Sequence, residues 1–118
     1  MSYTVNYSFS FSSAGGSDLI QDIISDSFSA DEIDRRIITV PANTDVSVAP
    51  VVVDLTNVSP TKRIIVTVSG DAQLRLNALT DDWTISSFWV YDGPEITTLN
   101  FGNSSTTEDI TVKIIAFA

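Results

Sequence analysis

The chain has 118 residues, no cysteine and no histidine, and carries fifteen acidic against six basic side chains, a net charge of −9. Its length and its 43% apolar content suit one folded domain, and the missing residues exclude disulfides, thiol chemistry, Ser-His-Asp catalysis and the usual zinc and iron ligand sets, so no cofactor or metal is expected. The acidity opposes binding to phosphate backbones, and no apolar run approaches the roughly 20 residues of a membrane span, so neither nucleic acid nor membrane is an expected partner.

Valine, isoleucine and threonine together supply 38 residues, against three glutamates and two lysines. Branched side chains lose rotamer freedom in a helix and pack well on a pleated sheet. The start Met1-Ser2-Tyr3-Thr4 has neither a basic end nor an apolar core, so no secretory signal is expected. Tyr3, Val5, Tyr7, Phe9 and Phe11 then alternate with Thr4, Asn6, Ser8 and Ser10, which predicts a strand. Paired glycines at 15 and 16 break it. Leu19, Ile20, Ile23, Ile24 and Phe28 could form a helical stripe, although Asp18, Asp22 and Asp26 would then repel at four-residue spacing. Residues 18–34 read as one short helix or an irregular stretch, with a strand through Ile24, Asp26 and Phe28 as the alternative. Six of the fifteen acids fall there, which suits solvent or a basic partner.

Strands follow over Arg36 to Val40 and over Asp45 to Leu55, the latter with Val46 and Val48 inward and a disturbance at Pro50. Arg63 to Val68 and Ala72 to Leu79 read as a hairpin closed by Ser69-Gly70-Asp71. Thr84 to Tyr91 reads as one aromatic strand, Ile96 to Phe101 as a short one and Ile110 to Phe117 as the last. The spacing predicts an all-β fold: an antiparallel β-sandwich, jelly-roll or Ig-like, of about eight strands with at most one short helix. Residues 1–118 form a single domain in this reading, with 1–36 as an N-terminal strand or arm region.

Few residues invite chemistry. Asp81, Asp82 and Asp92 lack the spacing of a calcium loop, and nothing selects a glycosidase pair from Glu32, Glu95 and Glu108. No catalytic set is expected, and the chain is read as a non-enzyme. The acceptor patterns at Asn6, Asn57 and Asn103 are those that a serine- and threonine-rich chain produces by chance. Trp83, Trp89 and Tyr91 are candidates for stacking on a sugar ring, with packing in a core or subunit interface as the favoured reading. The last strand is apolar on both faces, Ile115 and Phe117 forming the second, so it is central or covered by another chain. With the oily first strand this predicts a homo-oligomer, a trimer, whose interface uses Tyr3, Val5, Tyr7, Phe9, Phe11, Ile115 and Phe117.

The run Ile38-Thr39-Val40-Pro41-Ala42-Asn43-Thr44-Asp45-Val46, the strand Ile64-Ile65-Val66-Thr67-Val68, the arm Gln73-Leu74-Arg75-Leu76-Asn77 and the end Ile110-Thr111-Val112-Lys113-Ile114-Ile115-Ala116 resemble small virion accessory proteins of tailed bacteriophages. The resemblance is one of pattern and order and covers about two thirds of the chain; residues 1–36 lie outside it. It implies a threonine-rich β-sandwich without a catalytic set, made in the host bacterial cytoplasm and located in the virion. The function it implies is that of a capsid decoration (cement) protein, or of a neck or tail component. Its partners would be itself and other capsid or virion proteins. The alternative is a carbohydrate-binding β-sandwich on a virion or cell surface.

Overall fold

The computed structural model describes residues 2–15 and 18–118. Among the described residues there are ten β-strands and no helix. Two compact units divide at residue 31.

The first unit is a two-stranded ribbon of β1 (Tyr3–Gly15) and β2 (Asp18–Ala30), antiparallel and in register from Tyr3 opposite Ala30 to Gly15 opposite Asp18. The segment read above as a short helix or irregular stretch is therefore extended, and the alternative reading is the correct one. A helix would stack Asp18, Asp22 and Asp26 one turn apart. A strand instead alternates them with Ile20, Ile24 and Phe28 and suits the branched isoleucines.

The second unit, Glu32–Ala118, is a β-sandwich. Its strands are β3 (Ile33–Val40), β4 (Val51–Asp54), β5 (Arg63–Val68), β6 (Ala72–Leu76), β7 (Trp83–Ile85), β8 (Phe88–Asp92), β9 (Thr98–Gly102) and β10 (Ile110–Phe117). One sheet has the order β3-β10-β5-β8 and the other β4-β9-β6-β7, with every neighbouring pair antiparallel. β3 pairs with β10, β4 with β9, β5 with β8 and β6 with β7. The first four strands and the last four thus form one long ribbon wound over itself. Of the two sandwich classes expected, this strand order is the jelly roll.

Alternation builds the core. Ile64 and Val66 of β5, Leu74 of β6, Leu99 and Phe101 of β9, and Val112 and Ile114 of β10 are all almost completely buried between the sheets. The last strand alternates as expected, lies between β3 and β5, and carries Ile115 and Phe117 on its second face.

Three local readings are corrected. Asp45 to Leu55 is not one strand: residues 45–49 turn, and only Val51–Asp54 pair. The Asp45 carboxylate accepts from the backbone N–H of Ser47 (2.9 Å) and from its hydroxyl (2.6 Å), while the Ala49 N–H donates to the Asp45 carbonyl (3.0 Å). That side-chain turn competes with a strand. It leaves Val46 buried but Val48 79% exposed, not inward. Ser69-Gly70-Asp71 does not close a hairpin, because β5 and β6 belong to different sheets. The segment crosses between layers, tied by Ser69, whose N–H donates to the Thr111 carbonyl and whose Oγ accepts from the Thr111 N–H. Thr84 to Tyr91 is likewise two strands: the chain leaves one sheet at Ile85 and enters the other at Phe88.

Candidate interaction surface

The outer faces of the two sheets differ in composition. On the β4-β9-β6-β7 sheet the outward side chains include Gln73, Arg75, Thr98 and Asn100 with the exposed Val52, and three of the polar ones find partners in neighbouring groups. Arg75 pairs with Asp82, Gln73 donates to Ser104 (3.2 Å), and Asn100 donates to the Asn77 carbonyl (2.9 Å). The hydrogen bond from Asp82 also raises Arg75 above its ordinary pKa. Such a face is at home in water.

The β3-β10-β5-β8 face differs. Strand register aligns Arg35, Ile115, Ile65 and Val90 in one row across the sheet, and Ile37, Lys113, Thr67 and Phe88 in the next. Ile37 is 71% exposed, Phe88 58% and Val90 45%. A shallow groove of about 450 Å³ runs here, its lining including Arg35, Ile37, Ile65, Lys113 and Ile115. Arg63 stands on the same face beside Asp92, 3.5 Å away. Arg35 and Lys113 have no acidic partner within ion-pair distance among the described residues. In a chain of net charge −9, one sheet face therefore concentrates apolar side chains with three cations against one carboxylate. Ile115 was legible in the sequence as part of a second apolar face. Ile37, Ile65, Phe88 and Val90 were not singled out, because their common face exists only once β3, β5, β8 and β10 are known to share a sheet.

The other expected interface positions are distributed as follows. Tyr3 is 44% exposed and Val5 half-buried on β1; the side chains of Tyr7, Phe9 and Phe11 lie outside the described residues. Ile115 is half-buried and Phe117 buried.

Trp83, Trp89 and Tyr91 are brought together. β7 and β8 are edge strands of the two sheets, joined directly through residues 86–87, and their aromatics close that flank of the sandwich. Trp89 stacks on Tyr91 at 5.5 Å and meets Trp83 at 5.6 Å with a 60° tilt. Trp89 and Tyr91 pack against the core, and the Tyr91 hydroxyl donates to the Pro94 carbonyl (2.8 Å). Trp83, 45% exposed, is the member of the trio with most ring surface open to a ligand.

The acids do not converge. Asp82 and Asp92 are each engaged by an arginine on different sheets, and among the described residues no group of three acidic side chains gathers around a point. Asn103 of the acceptor pattern is fully buried. Its amide donates to the carbonyls of Val40 (3.2 Å) and Glu108 (2.7 Å) and accepts from the Ser105 N–H (3.0 Å), so it pins the loop before β10.

In comparisons with known proteins, no family model, no curated protein and no solved structure matches this chain.

Proposed function

We propose that this chain is a non-enzymatic structural protein of a bacteriophage virion, a capsid decoration protein that binds the particle surface as a homo-oligomer and stabilises it. The observation that carries this reading is the exposed apolar and cationic face of the β3-β10-β5-β8 sheet on an otherwise acidic jelly roll. Exposed apolar surface gathered on one face is the mark of a contact surface. A cement protein needs such a surface on a stiff scaffold, without chemistry. The jelly roll adds support by analogy alone, since it recurs in viral capsid domains and also in lectins. The test is co-sedimentation of the purified chain with phage particles, read with the temperature at which those particles release their DNA. Binding with a raised release temperature is expected; a chain left in the supernatant refutes the reading.

The carbohydrate-binding alternative keeps one specific observation, the exposed ring of Trp83. Titration of tryptophan fluorescence with host polysaccharide separates the two. Saturable quenching abolished by Trp83→Ala would favour the alternative.

A further inference from the structure

The apolar-cationic sheet face is uncovered in the single chain, since Ile37, Phe88 and Val90 remain largely exposed. Whatever covers it must offer exposed apolar side chains beside a carboxylate that is not already paired. The loop between β6 and β7 offers both. Leu79 and Trp83 are large apolar residues left exposed, and Asp81 lies midway between them in sequence. Arg75 is taken by Asp82, and Asp81 makes no ion pair among the described residues. The loop is also held at both ends. At its start the Leu79 N–H donates to the Leu76 carbonyl (3.0 Å), the Asn77 N–H donates to the Thr98 carbonyl (2.9 Å), and the Asn77 side chain accepts from the Thr97 N–H (2.8 Å). At its end Asp82 pairs with Arg75, and Trp83 enters β7 opposite Leu74. Apolar side chains on a loop fixed in this way lose less freedom on being covered than those on a loose one, which favours a contact role. Val48 and Val52 are exposed as well, but the nearby carboxylates in sequence, Asp45 and Asp54, already accept from Ser47 and Thr56.

From this complementarity we infer that the β6–β7 loop of one copy docks on the β3-β10-β5-β8 face of a second copy, with Leu79 and Trp83 over its apolar groove and Asp81 between Arg35 and Lys113. This rests on the homo-oligomeric reading above and names its surfaces. The groove, of about 450 Å³, has Ile37, Ile65 and Ile115 among its lining residues, together with both cations. Arg35 lies opposite Ile115, two residues from Lys113 on the same strand, so the two cations are diagonal neighbours across the β3–β10 pair. Diagonal neighbours stand about 7–8 Å apart, and the long stems of arginine and lysine let both heads converge on one carboxylate placed between them. A single acid therefore answers both cations. The contact is heterologous: a loop on one copy meets a sheet face on the next. Pairing two sheet faces about a two-fold axis would instead bring Arg35 and Lys113 of both copies together, which like charge opposes. A short loop covers less than the roughly 800 Å² per partner of a standard interface, so one such contact is weak. Closure into a ring gives each copy two of them, and a trimer is one such ring.

The test uses the full-length chain in sedimentation experiments from micromolar to hundred-micromolar concentration. Wild type is expected to associate, more weakly as salt rises. Asp81→Lys, and separately Arg35→Glu with Lys113→Glu, should each weaken association at least about tenfold. All three changes in one chain should restore it, because every loop then meets a face of opposite sign. That rescue works in a ring of any size, and a misfolded chain would not show it. Leu79→Ser should also weaken association but leave its salt dependence in place, since it removes apolar contact and no charge. Trp83 is kept in every variant because it packs on Trp89. A wild type that stays monomeric overturns the inference, as do an Asp81→Lys or Leu79→Ser chain that associates like wild type and a triple variant that stays dissociated. Particle binding is scored separately: binding by a monomer overturns this contact and leaves the virion reading intact, whereas a charge-sensitive oligomer that ignores particles supports the contact and sinks the virion reading.

Discussion

Replacing Asn103 tests the wiring of the loop that feeds β10. The side chain is fully buried and makes three hydrogen bonds to backbone groups of Val40, Ser105 and Glu108. Its own backbone exchanges two more with Thr44, at 2.8 and 3.0 Å, which any residue can keep. At about 1 kcal/mol net for each lost side-chain bond, Asn103→Ala should cost about 3 kcal/mol. For a unit of this size that lowers the melting temperature by on the order of 10–20 °C. Asn103→Asp is the sharper variant. It keeps an acceptor for the Ser105 N–H but turns a carboxylate toward two carbonyl oxygens without a cation, so at pH 7 it should cost more than the alanine. Burial and those carbonyls favour its protonated form, so its folded pKa lies above the unfolded value. Its penalty therefore shrinks as the pH falls through that raised value, and the protonated acid can donate again. Urea denaturation followed by the fluorescence of Trp83 and Trp89 at neutral and acid pH measures both effects. An aspartate variant as stable as wild type at pH 7, or one whose penalty does not shrink on acidification, would refute this account of the loop.

Gly102→Ala should destabilise by roughly 1–3 kcal/mol, because an added Cβ comes within 2.6 Å of the Val46 Cβ; Gly70→Ala, with its nearest neighbour at 3.7 Å, is the control expected to be tolerated in thermal melts. Asn77 adopts φ 53° while its side-chain oxygen accepts from the Thr97 N–H (2.8 Å), so Asn77→Ala should cost about 1–3 kcal/mol in chemical denaturation, and Asn77→Gly less, since glycine relieves the backbone but not the lost acceptor. Asp45 and Asp54 are held below the ordinary carboxyl pKa, first by the hydroxyls of Ser47 and Thr56 and then by the backbone N–H groups of the same residues. A depressed folded pKa gives stability that is complete above the unfolded value near 3.9 and is lost as pH falls through the folded one. Acid melts from about pH 5 toward pH 2 should therefore show a shallower loss in Asp45→Asn with Asp54→Asn than in wild type, and an unchanged slope would discount these turns.

Much of the secondary structure is written in local periodicity. Period-two alternation in Tyr3 to Phe11, Ile64 to Val68 and Ile110 to Ala116 needs no knowledge of partners, because one face of each strand must be apolar wherever it pairs. Composition alone carries the absence of thiol and imidazole chemistry. Turn residues proved less informative, since a turn reports a change of direction and not the sheet entered next. Ser69-Gly70-Asp71 and Ser86-Ser87 look like hairpin or mid-strand positions in sequence, yet both carry the chain from one layer to the other.

What the sequence by itself determined is therefore the class of the protein: strands, their approximate bounds, an apolar set large enough for a sandwich and an acidic, polar exterior. Tertiary structure alone decided that the eight strands from β3 to β10 wind as a jelly roll. It also decided that Trp83 and Trp89 meet across two sheets, and that Arg35, Ile37, Ile65, Phe88, Val90 and Lys113 share one outer face. The reason is physical. Alternation is a property of a strand's own backbone, whereas a sheet face is assembled by hydrogen bonds between strands as far apart in sequence as β3 and β10. No window along the chain contains both.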